Sequence, residues 1–83
     1  MPTACGTRVS YGLPAVASVD LRVFDLAGRC VRDLVRRTQA AGHYNVTWDG
    51  KDNRGRSLAN GVYFIKLSTE NLEMRRKATL VRQ

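Results

Sequence analysis

Apolar and polar residues alternate with a period of two along most of this chain, the spacing of strands that bury one face. In RVSYGL, Val9, Tyr11 and Leu13 fall on one side, and in SVDLRVF, Val19, Leu21 and Val23 do so while Asp20 and Arg22 point the other way. The cleanest alternations are HYNVTW, where Tyr44, Val46 and Trp48 share a face, and VYFIKL, where Tyr63, Ile65 and Leu67 do. CVRDLVRR is less regular. Its Val31 and Val35 lie on one face and Cys30 and Leu34 on the other, which predicts a bulge or an edge position. In the last run, LEMRRKATLVRQ, Met74, Ala78 and Leu80 form the expected inner side.

Turn residues separate these runs. DLAGR at 25–29 places Gly28 where a type I turn followed by a left-handed residue closes a hairpin, Gly42 ends TQAAG, and STEN at 68–71 turns the chain into its last strand. No stretch keeps a 3.6-residue apolar period with caps at both ends, so no substantial helix is expected. About seven short strands with frequent turns predict an all-β, two-sheet antiparallel sandwich. Trp48, the lone tryptophan, is the expected centre of its core.

The 83 residues make one domain, 1–83, with 1–6 as a lead-in. A chain this short buries only about 60 to 65 per cent of its unfolded surface, which leaves little room for a deep active site. Fourteen Lys and Arg against seven Asp and Glu give a formal charge of +7, and eleven of the fourteen are arginine. The basic residues are scattered, which fits a solvated surface, while their surplus favours anionic partners such as nucleic acid, acidic glycans or a lipopolysaccharide-like surface. No apolar run is long enough to span a bilayer, and MPTACGTRVS lacks the pattern of a signal peptide. On this reading the targeting segment of an exported parent lies outside the chain.

Candidate chemistry is sparse. His43 sits on the polar face of its strand beside no obvious nucleophile, no GxSxG turn occurs, and most of the acids lie at or beside turns, so no catalysis is expected. Cys5 and Cys30 permit one disulfide, with two free thiols the preferred reading, and together with His43 they fall short of a zinc site. Within DGKDNRG, Asp49, Asp52 and Asn53 offer oxygens to calcium. Counting from Asp49, however, Lys51 and Arg54 occupy positions where a calcium loop needs oxygen and glycine. No helix follows to cradle a phosphate. Nucleic acid is not the expected partner, because most aromatics alternate into the core, Phe24 and Phe64 excepted. NVT at 45–47 matches a glycosylation pattern but lies within a strand. No metal or cofactor is expected. The thirteen residues Asp49 to Gly61 read as a join, with an internal turn at DNRG and an extended piece at RSL. Gly50, Gly55 and Gly61 supply backbone freedom there, and Asp49 and Asp52 cap turns.

Five elements in order, YGLP, VFDLAGR, AGHYNVTWDGKDNRG, NGVYFIKL and RRKATLV, resemble the FlgD-type immunoglobulin-like domain of flagellar hook-capping proteins. They also resemble related C-terminal modules, including sorting domains of the type IX secretion system. The resemblance spans nearly the whole chain. It implies a seven-stranded immunoglobulin-like sandwich without catalysis, serving as an accessory or sorting module of an exported bacterial protein at the extracellular or cell surface. Gly61 and Tyr63 of GVY, and Arg76, Lys77, Leu80 and Val81, are then the residues an export machinery would read. The alternative is a self-assembling subunit whose strand edges join copies into a filament or cap. Partners are accordingly export machinery, neighbouring domains of a parent protein, or identical subunits.

Overall fold

The computed structural model describes residues 7–81 of the chain. Six strands follow one another: β1 (Thr7–Leu13), β2 (Ala17–Phe24), β3 (Cys30–Gln39), β4 (Gly42–Trp48), β5 (Gly61–Ser68) and β6 (Glu73–Leu80). β1 and β4 form a two-stranded sheet, and the other four form a sheet in the order β3-β2-β5-β6. Every pairing is antiparallel, and no helix occurs among the described residues. The all-β sandwich expected from the alternation is the fold observed. Six full strands replace the seven expected, because the extended piece at 56–58 amounts to a single bridge between Lys51 and Ser57. The lead-in 1–6, with Cys5, lies outside the described residues.

Burial follows the period of two. Val9, Tyr11 and Leu13 of β1, Val19, Leu21 and Val23 of β2, and Tyr63, Ile65 and Leu67 of β5 all lie in the core. Trp48, at the end of β4, has no exposed surface. Its ring meets Tyr63 edge-on, with centroids 5.4 Å apart and planes at 69°, an arrangement that suits the opposite charges of ring face and ring edge. Its indole N–H donates to the Lys51 carbonyl at 3.0 Å, so the buried donor is satisfied.

A second aromatic pair lies within the smaller sheet, and a hydrogen bond from it ties the two sheets together. Tyr11 stacks on its cross-strand neighbour Tyr44, centroids 5.4 Å apart, and its hydroxyl donates to Oε1 of buried Gln39 at the end of β3, 2.6 Å away. Burial pushes the Tyr11 hydroxyl above its ordinary pKa, so it stays a donor.

β3 is both an edge strand and a bulged one. Its register against β2 shifts between Leu21 and Arg22 and again between Val23 and Phe24, which accounts for the broken alternation of CVRDLVRR. On β6 the inner side departs from expectation. Ala78 and Leu80 are buried, but Met74 is 46% exposed. Met74 pairs with buried Leu67 and so has the inward register. Two strands cannot roof four, and this corner of the larger sheet is left open.

Replacing Trp48 with Ala should cost about 3–5 kcal/mol, a large share of what a small domain has. Tyr11→Phe should cost about 1–3 kcal/mol, because Gln39 Oε1 is left buried without its donor. Urea unfolding followed by circular dichroism measures both. An unmoved midpoint for Tyr11→Phe would show that the Gln39 bond adds nothing net.

Candidate functional site

The stretch between Trp48 and Tyr63 is held at almost every step. Lys51 N–H bonds Asp49 Oδ1 at 3.1 Å, Leu58 N–H bonds the Gly50 carbonyl at 3.0 Å, and the Tyr63 hydroxyl donates to the Ala59 carbonyl at 2.8 Å. Its tip lies against β3. Asn53 N–H bonds the Val31 carbonyl at 3.1 Å, and Asn53 Oδ1 accepts from Asp33 N–H at 2.9 Å. Arg32 clamps the base of the loop, its Nη1 lying 3.4 Å from Asp49 Oδ1, 3.3 Å from the Lys51 carbonyl and 3.2 Å from that of Asp52. The oxygens of Asp49, Asp52 and Asn53 that were weighed as cation ligands are thus engaged in shaping the loop. Among the described residues no group of three His, Cys, Asp or Glu could hold a metal ion.

Two turns share one chemistry, D-x-x-G-R, at 25–29 and at 52–56. In the first, Asp25 Oδ1 accepts from Ala27 N–H and Arg29 N–H, both at 2.9 Å, and Arg29 Nε lies 3.1 Å from Asp25 Oδ2. In the second, Asp52 Oδ1 accepts from Arg54 N–H at 2.9 Å and Arg56 N–H at 3.0 Å, and Arg56 Nε lies 3.3 Å from Asp52 Oδ2. Gly28 N–H and Gly55 N–H each bond the carbonyl of their aspartate at 3.0 Å. The glycines sit at φ 87° and 81°, a left-handed conformation that side chains with a Cβ resist. Backbone N–H donation by Arg29 and Arg56, reinforced by their guanidiniums, holds both carboxyls below the usual aspartate range. A turn is expected from the sequence at each place, but the shared form and the roles of Arg29, Arg32 and Arg56 are not. The repeated D-x-x-G-R spacing was the signal that could have found two of the three.

The other candidates also have local roles. His43 is exposed, and its ring lies over Gly12, where an added Cβ would sit 3.1 Å from Nδ1. Cys30 is a free thiol, pushed up by the partial shielding of its sulfur and by the Asp33 carboxylate, the opposite of an activated nucleophile. Asn45 of the NVT sequence accepts a 2.6 Å bond from Ser10 Oγ on the neighbouring strand. Across the outer face of the larger sheet, Asp20 is bonded twice by Arg22, at 2.6 Å each, and this pairing holds its carboxyl low. Phe24 and Phe64, paired side by side there, are half-buried.

The positions read as sorting candidates do not share one surface. Tyr63 and Leu80 are buried, while Arg76, Lys77 and Val81 are exposed. Gly61 begins β5.

With this sandwich and its tied-down loop in view, the chain is an immunoglobulin-like structural module. It belongs to the FlgD Ig-like domain family, whose model matches residues 4–73. The basal-body rod modification proteins FlgD of Salmonella typhimurium and Salmonella typhi are each 38% identical to it over 53 residues, 64% of this chain and 23% of theirs. The solved structure of FlgD from P. aeruginosa superposes with a TM-score of 0.69 at 29% identity, covering 96% of this chain and 64% of that one. The chain thus spans less than a quarter of the length of its curated relatives. These matches overturn the expected extracellular or cell-surface placement: the relatives are named as basal-body rod modification proteins, not as surface-displayed proteins.

Two predictions follow from the turns. The carboxyls of Asp25 and Asp52 titrate lower when folded, so their stabilisation is complete above the unfolded aspartate value of about 3.9 and is lost as pH falls through the lower folded values. Asp25→Asn/Asp52→Asn should lower the melting temperature at neutral pH and flatten its decline on acidification. An acid limb as steep as that of the parent would sink the assignment. Gly55→Ala should cost about 1–2 kcal/mol from backbone strain alone, since no atom lies within 4 Å of the added Cβ. Denaturant unfolding reads it, and an unchanged stability contradicts the strain.

Proposed function

We propose that this chain is a non-catalytic protein-contact module that helps assemble a structure of the flagellar rod or hook type. The carrying observation is the family match over residues 4–73. The fate of the candidate groups supports it: the acids of the long loop and of both D-x-x-G-R turns hold backbone in place, which makes a rigid body able to present its edges to other proteins. Several of the arginines are used within the chain as well, Arg22, Arg29, Arg32, Arg36 and Arg56 each reaching a carboxylate. The sorting alternative rests on the sequence resemblance alone. It would also require recognition of Leu80, which is 1% exposed in the folded chain.

A graft tests the proposal. In Salmonella typhimurium FlgD, deleting the segment matched by this chain should abolish basal-body completion and swimming, and inserting this chain in its place should restore swimming at least in part. A deletion strain that swims normally overturns the assembly role for the family. A folded graft as immobile as the deletion overturns it for this chain.

A further inference from the structure

The larger sheet has two edges, and they are treated differently. At β3 the loop tip covers the outer backbone, Asn53 bonding both the Val31 carbonyl and the Asp33 N–H. At β6 one edge pairs with β5, and among the described residues no hydrogen bond reaches the other. Such a row of free N–H and C=O groups is a template for another strand. Beside it runs a cleft of about 100 Å³ between the sheets, lined by Val9 and Tyr11 of β1, Leu67 of β5, and Met74 and Arg76 of β6. Arg76 and Met74 pair with buried Ile65 and Leu67, so both have inward register, yet both are exposed because β1 and β4 do not roof them.

Charge decides what fits. Arg75, Arg76 and Lys77 are consecutive and exposed on this edge, and no salt bridge engages them among the described residues. Glu73 at the start of β6 is taken by Lys66 at 2.9 Å. A second copy docking β6 against β6 would set these cations against one another, a destabilising arrangement in paired strands. The β3 edge of another copy carries Arg36 and Arg37 and is partly covered.

We infer that the outer edge of β6 docks an extended acidic segment of another protein, its apolar side chains entering the cleft beside Met74 and its carboxylates meeting Arg75 and Lys77 on the opposite face. The added strand completes the backbone pairing of β6 and roofs the corner that the two-stranded sheet leaves open. This deepens the protein-contact reading and fails separately from it: a swimming graft with no strand docking leaves assembly intact and removes only this edge.

The test uses a fluorescein-labelled peptide of about ten residues alternating Val and Glu, long enough for one strand. Titrated with the full chain, it should raise anisotropy saturably, with amide shift changes in nuclear magnetic resonance confined to β6 and β1. Arg75→Glu/Lys77→Glu should weaken binding about tenfold or more and favour a Val and Lys peptide instead. Met74→Asp, at a position 46% exposed, should weaken it too, with a circular dichroism spectrum and midpoint like the parent's confirming that the variant is folded. A peptide N-methylated at alternate residues should not bind. Absent binding, equal binding of a scrambled peptide of the same composition, shifts centred on β3, or a stable dimer through β6 would each overturn the inference.

Discussion

A tryptophan that loses all contact with water at the end of a strand must bring its indole N–H to an acceptor. In this chain Trp48 finds one three residues on, in the carbonyl of Lys51. That bond turns the chain back on itself directly after β4 and starts the long connection to β5 from a fixed point. Arg32 reaches the same carbonyl from β3, so the core, the loop and the edge of the larger sheet meet at one oxygen. Tyr63, the next core aromatic, packs its ring on Trp48 and spends its hydroxyl on Ala59, pinning the far end of the connection. A connection of twelve residues, 49–60, whose conformational entropy would be costly to lose, is thereby ordered by a few well-placed donors and acceptors.

The unequal width of the two sheets shapes everything on the other side. Two strands bury the middle of a four-stranded sheet and one end of β6, where Ala78 and Leu80 are covered. They leave the other end bare, with Met74 at inward register and in solvent. A narrow roof of this kind is a familiar compromise in a small domain, whose surface is large for its volume. Its consequence is an apolar cleft beside an unpaired strand edge, rimmed by cations, on a molecule of formal charge +7.

Polar chemistry in the chain serves geometry. The two D-x-x-G-R turns use one aspartate each to bind backbone N–H groups and an arginine, and the outer face of β2 uses Asp20 with Arg22 in the same spirit. Carboxylates held this way are poor general acids at neutral pH, since hydrogen bonds favour their charged form. Individually such exposed pairs are weak. Together they make loops stiff, which is what a module that presents edges to partners requires.

Much of the fold was legible in the sequence because its signals are local. Period-two alternation marked the core faces of β1, β2, β4 and β5, irregular spacing marked β3 as a bulged edge, and Gly28 marked its hairpin. Trp48 was recognisable as the core's centre from its uniqueness and its place in an alternating run. What sequence could not supply was anything set by distance along the chain. Asn53 on β3, Arg32 beneath the loop, and Gln39 against Tyr11 join residues 17 to 28 positions apart. The exposure of Met74 depended on how many strands lie opposite, a count that no residue of β6 encodes. Sequence by itself determined which side of each strand would be apolar, since alternation is a property of neighbouring residues; tertiary structure alone decided which of those apolar sides would find a cover, since that depends on how sheets of unequal width stack.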